Sequence, residues 1–287
     1  MNFLPSEWLR CPLDQLALLR DEQQLRCDNG HSFDIARQGY VNLLRPADKR
    51  SRDPGDSKAM IAARQSFLDA GHYHPLATAL AELLLPLLPA ESVIVDAGCG
   101  EGYYLAQLHA QLSARPGADQ RLPAMIGFDI SKWAVQAATR RPIATWLVAS
   151  NRHIPLAPNS ADCILSLFGF PLFEAFRTLL KDRGALLLAN AGPLHLIELR
   201  EVIYPEIRHT PSTVAQQASA AGLDIGAMTK VQFKTAPLSQ LEIAQLLSMT
   251  PHLFRASHAG KENAARLDQF PVTVDVELQL VHKVGGR

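Results

Sequence analysis

The sequence lacks the features of secreted, membrane-spanning and strongly basic proteins. Lys and Arg together number 28, as do Asp and Glu, so the formal net charge is zero and any nucleic-acid contact has to come from a local patch. The four cysteines suggest no disulfide framework. The N-terminus lacks the basic and apolar regions of a signal peptide, and the longest apolar stretch, at 76–88, is broken by Glu82 and Pro86. These absences predict a cytoplasmic protein with no membrane segment.

The length and composition suit a globular protein. Of the 287 residues, 47% are hydrophobic and 20% are charged, which allows one large domain and a small one. We predict a small β ribbon at 1–45, a basic loop with a linker helix at 46–74, and a large domain at 75–287. A ribbon of this size cannot be stable through burial of its own core alone.

The large domain alternates apolar strand-like runs with helical patterns. Strands are expected near 92–97, 124–129, 144–149, 161–167 and 184–191. Such a βαβ series predicts an α/β fold, with a mostly parallel, doubly wound sheet covered by helices on both faces. Toward the C-terminus, residues 237–249 predict an amphipathic helix. Residues 272–281 alternate apolar and polar positions, which predicts a strand in an antiparallel pair that closes the sheet.

A glycine-rich turn follows the first strand of this series. It reads Asp96-Ala97-Gly98-Cys99-Gly100-Glu101-Gly102, and its glycines let a ligand lie against bare backbone. The spacing differs from the G-x-G-x-x-G of dinucleotide-binding turns, which disfavours a nicotinamide dehydrogenase. It resembles the S-adenosylmethionine turn of class I methyltransferases. Asp129 ends the next strand, where a carboxylate accepts hydrogen bonds from ribose hydroxyls. Ser150 and Asn151 end the third strand, where they either bind the adenine or make ordinary turn contacts.

Four residues of the N-terminal module have the chemistry of metal ligands. Cys11-x-x-Asp14 and Cys27-x-x-x-His31 are separated by a ribbon-length gap. A C-x-x-C paired with C-x-x-x-H would indicate zinc, but Asp14 stands where the second cysteine belongs. The alternative is a ribbon with two free thiols and no metal.

The loop after the ribbon is basic. Lys49, Arg50 and Arg52 lie among seven Lys and Arg residues between positions 37 and 64, against three Asp residues. This stretch is either a strip that contacts RNA phosphates or a solvated linker.

The fourth strand ends without the N/D-P-P-Y/F turn of amino-group methyltransferases and reads Ser-Leu-Phe-Gly-Phe-Pro at 166–171. Phe168 and Phe170 are suited to stacking on a flipped base or to core packing. Cys163 lies inside a predicted buried strand and is expected in the core. His195 and Glu198 follow the fifth strand, at the predicted edge of the active site.

Several segments together resemble one family, the bacterial 23S ribosomal RNA guanine-N1 methyltransferases. They are residues 37–44, 49–56, 67–73, 96–104 and 192–196. The resemblance implies a zinc-binding N-terminal module that recognises an rRNA hairpin, and a class I methyltransferase domain that holds S-adenosylmethionine.

The family's functional residues carry over by position. Tyr73, Gly100, Glu101 and His195 would line the cofactor. Cys11, Cys27 and His31 would be three of four zinc ligands, and Asp14 is the departure from the family pattern.

The resulting expectation is methylation of guanine N1 in a hairpin of 23S rRNA, with the guanine flipped into the pocket. Because N1 carries a proton near neutral pH, a base has to remove it, and Glu198 and His153 are the candidates. Two alternatives stay open: a small-molecule methyltransferase whose ribbon is a lid, and a non-catalytic RNA-binding or ribosome-assembly factor that binds the cofactor. The oligomeric state is also open, with a homodimer as one option.

Overall fold

A computed structural model describes residues 3–49, 51, 53–89, 91–115, 122–207 and 212–285 of the chain. The N-terminal ribbon is a three-stranded antiparallel sheet. Its strands are β1 (Leu19–Asp21), β2 (Gln24–Arg26) and β3 (Ser32–Asp34).

The remaining elements alternate as the sequence predicts. In chain order they are β4 (Tyr40–Asn42), α1 (Lys58–Asp69), α2 (His74–Leu84), β5 (Val93–Ala97), α3 (Tyr103–Ser113), β6 (Ala124–Asp129), α4 (Lys132–Ala138), β7 (Thr145–Val148), β8 (Ala161–Leu167), α5 (Phe173–Leu179), β9 (Leu180–Ala191), α6 (Ile197–Ile203), α7 (Val214–Ala220), β10 (Leu223–Lys234), α8 (Gln240–Ser248), α9 (His252–Arg255), α10 (His258–Ala265) and β11 (Thr273–Lys283).

Among the described residues, eight strands form one sheet in the order β4-β7-β6-β5-β8-β9-β11-β10. Neighbouring strands from β4 to β9 are parallel, and β11 is antiparallel to both β9 and β10. The direction of chain progression reverses at β5, which makes its carboxyl end the topological switch point where ligands bind in such sheets. The predicted α/β fold and the antiparallel closing pair are confirmed.

Most predicted elements agree with the structure to within a few residues. The strands expected at 124–129 and 161–167 coincide with β6 and β8. The strand expected at 184–191 begins earlier, at Leu180. Leu180 pairs with Ala161, but the register of β9 against β8 shifts between Ala161 and Cys163, so Lys181 to Gly184 have no partner in β8 and the paired run resumes at Ala185.

The ribbon is joined to the large sheet. Backbone hydrogen bonds link Arg10 N to Pro155 O at 2.9 Å and Ala157 N to Trp8 O at 2.8 Å. β4, which falls within the predicted N-terminal module, extends the large sheet by pairing with β7. The buried Leu25 of the ribbon belongs to the same apolar cluster as Phe128 of β6, so burial against the large sheet supplements the small core of the ribbon. The division of the chain at residues 45 and 74 stays a prediction.

Helices cover both faces of the sheet, and two apolar clusters form the core. One contains residues of α2, α3 and α8, and the other contains residues of α5 and α7 together with the ribbon. None of the helices in the described residues is both long enough and apolar enough to cross a membrane.

Candidate cofactor cleft and metal cluster

A cleft of about 680 Å³ opens at the carboxyl ends of β5 to β8. Its wall is formed by the glycine turn after β5, by the segments that follow β6, β7 and β8, and by part of the loop before α1. The lining residues include Asp48, Ser51, Pro54, Gly55, Asp56, Arg64, Gly98, Gly100, Asp129, Ser150, Asn151, Phe168 and Phe170. The cleft therefore lies at the switch point of the sheet, and five of the predicted cofactor residues line it.

The three glycines of the turn have different roles. All have positive φ, at +88°, +56° and +80° for Gly98, Gly100 and Gly102, which favours glycine. A Cβ on Gly98 would meet nothing within 4 Å, so this backbone is open to a ligand. On Gly102 a Cβ would lie 2.6 Å from the Trp146 ring. Gly98 and Gly100 line the cleft, whereas Gly102 allows the turn to pack on Trp146.

Asp129 links the two strands that frame the cofactor end of the cleft. Its Oδ2 accepts a hydrogen bond from Gly100 N at 3.0 Å and its Oδ1 accepts one from Ser131 N at 2.8 Å. Burial raises its pKa, although these two bonds act in the opposite direction. A carboxylate oxygen accepts more than one hydrogen bond, so Asp129 can brace the turn and also receive ribose hydroxyls.

Buried polar atoms without partners surround the turn. Both carboxylate oxygens of Asp96 lack a hydrogen-bond partner, as do Glu101 Oε1, Asn151 Oδ1 and Ser166 Oγ. Burial, followed by the charge of Asp129, raises the pKa of Asp96 to about 7. Such atoms are costly unless something pairs with them. The ammonium, hydroxyl and amino groups of S-adenosylmethionine are suitable donors, so the residues present fit this cofactor.

Tyr73 and His195 pair with each other next to the cleft. Tyr73 Oη lies 3.4 Å from His195 Nε2, and the Asp275 N–H donates to His195 Nδ1 at 3.2 Å. Burial lowers the pKa of His195 to about 4. The imidazole is therefore neutral near pH 7, and because Nδ1 accepts, its proton is on Nε2. Neither residue is in the cleft wall, but the ring of Phe168, which is, lies 5.9 Å from that of His195.

The two candidate bases lie in different places. Glu198 accepts from Thr273 N at 2.8 Å and Thr273 Oγ1 at 2.6 Å, and it is 3.3 Å from Lys234 Nζ. Burial acts to raise the pKa of Glu198, but the bonds from Thr273 outweigh it and lower the pKa. The structure therefore ties Glu198 to β11, outside the cleft wall. His153 is also outside the cleft wall, but its Nδ1 donates to Asp48 at 2.9 Å, and both Asp48 and the adjacent Arg152 line the cleft.

The loop before α1 forms part of the cleft wall, which the sequence did not indicate. Ser131 Oγ donates to Asp56 O at 2.7 Å, and a Cβ on Gly55 would lie 2.9 Å from the Ser131 side chain. Lys49 is exposed. Arg50 and Arg52 lie outside the described residues. The sequence pointed to this loop through its basic composition and through the segment 49–56 of the family resemblance, but neither signal placed it at the cleft.

The turn after β8 exposes one aromatic ring and strains another. Phe170 is 91% exposed, which excludes core packing for this residue. Phe168 has φ of +55°, a conformation that is costly for a bulky side chain and that clusters at functional sites. Cys163 is 1% exposed, and burial raises its pKa to about 12. Its assignment to the core is confirmed.

The four predicted metal ligands converge in the ribbon. One donor atom from each of Cys11, Asp14, Cys27 and His31 lies within 4.8 Å of all the others. The shortest separations are 3.0 Å between His31 Nδ1 and Asp14 Oδ2, 3.4 Å between Cys27 Sγ and Asp14 Oδ2, and 3.5 Å from each sulfur to His31 Nδ1. A tetrahedral ion with bonds of about 2.0–2.3 Å separates its ligands by about 3.3–3.8 Å. The cluster therefore fits zinc, with only small adjustments of these side chains.

Comparison with known proteins finds one match that includes the ribbon and another that includes the glycine turn. Residues 9–52 match the zinc-ribbon family model described as "RlmA, N-terminal", and residues 95–187 match a methyltransferase domain. The 23S rRNA (guanine(748)-N(1))-methyltransferase of Streptomyces fradiae is 36% identical over 200 residues, 68% of each chain. The chain belongs to the 23S rRNA guanine-N1 methyltransferase family. Relatives from Micromonospora griseorubida and Bacillus subtilis, provisionally named for the same reaction type, are 32% and 30% identical and cover 95% and 94% of this chain and 95% of their own.

These matches confirm the predicted resemblance. Members of this family are enzymes that use S-adenosylmethionine, and the large domain is a methyltransferase domain. The roles of individual residues stay predictions, because the matches concern whole domains.

Proposed function

We propose that the protein transfers a methyl group from S-adenosylmethionine to N1 of a guanine in a hairpin of 23S rRNA. The observation that supports this most strongly is the presence, in one chain, of a ribbon with a four-ligand cluster and a cleft at the switch point. Relatives provisionally named for this reaction type match 95% and 94% of this chain, a share that includes both regions. When bound, S-adenosylmethionine supplies a methyl group already activated on a sulfonium.

The cleft residues position the cofactor. Asp129 is suited to the ribose hydroxyls, and the open backbone at Gly98 to close approach of the ligand. Ser150 and Asn151, after β7, are suited to the adenine, and the unpartnered Asn151 Oδ1 is an acceptor for its amino group. The other residues proposed for the cofactor site lie behind the cleft wall and support the glycine turn or the methionine part of the cofactor. They are Tyr73, Asp96, Glu101, Gly102 and His195. Positioning of this kind contributes up to roughly 7–11 kcal/mol to catalysis.

Two groups are suited to the target base. The exposed ring of Phe170 at the cleft mouth offers a face on which a flipped guanine can stack. His153 is the better candidate base. The Asp48 carboxylate accepts from Nδ1–H, which orients the ring and leaves the lone pair of Nε2 to take the N1 proton. Glu198 is the alternative, but its oxygens are engaged by β11.

The ribbon is suited to recognition of the RNA. We propose that Cys11, Asp14, Cys27 and His31 hold one zinc ion that fixes the ribbon, and that Lys49, Arg50 and Arg52 contact phosphates. A cytoplasmic location follows from a ribosomal substrate. A homodimer stays a prediction that sedimentation at several concentrations would test.

The deciding experiment is transfer of labelled methyl from S-adenosylmethionine to unmodified 23S rRNA, followed by mass analysis of the nucleosides. We expect N1-methylguanosine at one site. Methylation of small acceptors without RNA would indicate the small-molecule alternative. Binding of cofactor and RNA without turnover would indicate the non-catalytic one.

A further inference from the structure

Arg64 lies against the glycine turn, although the sequence indicated it only as the last cation of the basic stretch. It is on α1, whose N-cap Ser57 accepts a hydrogen bond from Met60 N. A Cβ on Gly100 would lie 3.2 Å from Arg64 Nε, so glycine at this position lets the guanidinium lie close to the turn, in addition to favouring the positive φ. The side chain is 18% exposed and lines the cleft.

One buried carboxylate holds the guanidinium. Arg64 Nε donates to Glu101 Oε2 at 3.0 Å, and the Glu101 side chain is 1% exposed. Among the described residues, Glu101 is the sole acceptor of a hydrogen bond from Arg64. A guanidinium has five N–H donors, so the four on the Nη atoms are left for a ligand in the cleft.

The charges around the turn match an α-amino acid. Arg64 lies at Gly100, and the buried Asp96, whose two oxygens have no partner, precedes Gly98. A cation and an unpaired carboxylate on the two sides of one turn are complementary to a carboxylate and an ammonium on one carbon. Arg64 repels the positively charged sulfonium of S-adenosylmethionine. This repulsion orients the cofactor with its carboxylate toward α1.

We propose that Arg64 binds the α-carboxylate of the methionine part of the cofactor, and that Glu101 is a positioning residue that holds the guanidinium in place. This inference rests on the proposed function, because it requires S-adenosylmethionine in this cleft. It also gives Glu101, which does not line the cleft, a physical reason to matter for cofactor binding.

The test compares two ligands by calorimetry on the full chain. S-adenosylhomocysteine carries the amino acid, and 5′-methylthioadenosine lacks it. In Arg64→Gln we expect affinity for S-adenosylhomocysteine to fall roughly tenfold to a hundredfold, the effect of losing hydrogen bonds to a charged group. Affinity for 5′-methylthioadenosine should stay within about twofold. Arg177→Gln, an exposed arginine on α5, is the control and should change neither.

Because Arg64→Gln leaves Glu101 buried without its partner, the double variant Arg64→Gln/Glu101→Gln repeats the comparison without either charge. Equal loss of both ligands in this double variant, or unchanged binding of S-adenosylhomocysteine in Arg64→Gln, would overturn the inference and leave Arg64 as a structural partner of Glu101. A wild-type protein that binds neither ligand would instead overturn the proposed function.

Discussion

The ribbon and the cleft assemble their functional groups over very different sequence distances. The four candidate metal ligands lie within residues 11–31. At the cleft, lining residues contact partners that are distant in sequence: Arg64 and Glu101 are 37 positions apart, Asp56 and Ser131 are 75 apart, and Asp48 and His153 are 105 apart. The first site depends on local turns, and the second exists only when the whole sheet has formed. Substitutions in one region at a time show whether cofactor binding, RNA binding and methyl transfer depend on that region alone.

The largest expected effect separates chemistry from binding inside the cleft. His153→Gln should lower single-turnover methyl transfer roughly 10²–10⁴-fold, since it removes the proposed base. Binding of S-adenosylhomocysteine and of RNA should be unchanged. Glu198→Gln is the control and should lose less than about tenfold in rate, because its contacts are structural. The reverse ranking of the two variants would make Glu198 the base.

A smaller effect tests the ribbon. Asp14→Ala should weaken zinc binding, measured by competition with a chromogenic chelator. Loss of a group that only hydrogen-bonds to a metal ligand costs roughly 10–100-fold in affinity, so loss of a direct ligand should cost at least as much. RNA affinity should fall with it, whereas affinity for S-adenosylhomocysteine should not change.

Asp14→Cys should increase the affinity for zinc, because it supplies a third thiolate beside Cys11 and Cys27. The exposed neighbour Asp28 provides the control variant Asp28→Ala. Equal zinc affinity in Asp14→Ala and wild type would remove Asp14 from the ligand set.

The basic loop connects the two regions. Replacing Lys49, Arg50 and Arg52 together by Gln should make the dependence of RNA affinity on salt shallower, by about two to three units of the log–log slope if each contacts one phosphate. Lys261→Gln/Arg266→Gln, on and next to α10, is the control. A slope that does not change would assign the loop to the cleft wall alone.

Sequence reasoning succeeded where local patterns carry the information. The strand periodicity, the glycine turn and the Cys11–His31 spacing each lie within one short segment, and the structure places them as expected. It counted Arg64 and Asp48 only as charges of the basic stretch and missed their place at the cleft, because such residues look solvated until the sheet brings Gly100 and His153 to them. It also placed Glu198 near the reacting edge, since chain order alone does not show that β11 would engage its carboxylate.

The smallest expected effect is on the free energy of unfolding, which the buried and unpaired carboxylate of Asp96 lowers in the ligand-free protein. Burial raises the pKa of Asp96 from 3.8 to about 7. Between these values the folded protein binds more protons than the unfolded chain, so Asp96 lowers stability as pH rises from 4 to 7. Asp96→Asn should therefore stabilise the ligand-free protein by about 1–3 kcal/mol at pH 8, because the buried amide, although it also lacks partners, carries no charge, and the gain should vanish toward pH 4. Urea unfolding at pH 4.5, 6 and 8 measures it.

Asp162, near the start of β8, supplies the contrast. Its Oδ2 accepts from Val93 N at 2.8 Å and from Lys181 Nζ at 2.6 Å, so Asp162→Asn should destabilise the protein where Asp96→Asn stabilises it. Asp96→Asn should also lower the affinity for S-adenosylhomocysteine, because the amide carries no negative charge to pair with the ammonium of the ligand. A variant that is neither more stable at pH 8 nor weaker in cofactor binding would show that Asp96 is already paired in solution. A gain in stability together with a loss of cofactor affinity in Asp96→Asn would show that the unpaired carboxylate favours binding at the expense of stability.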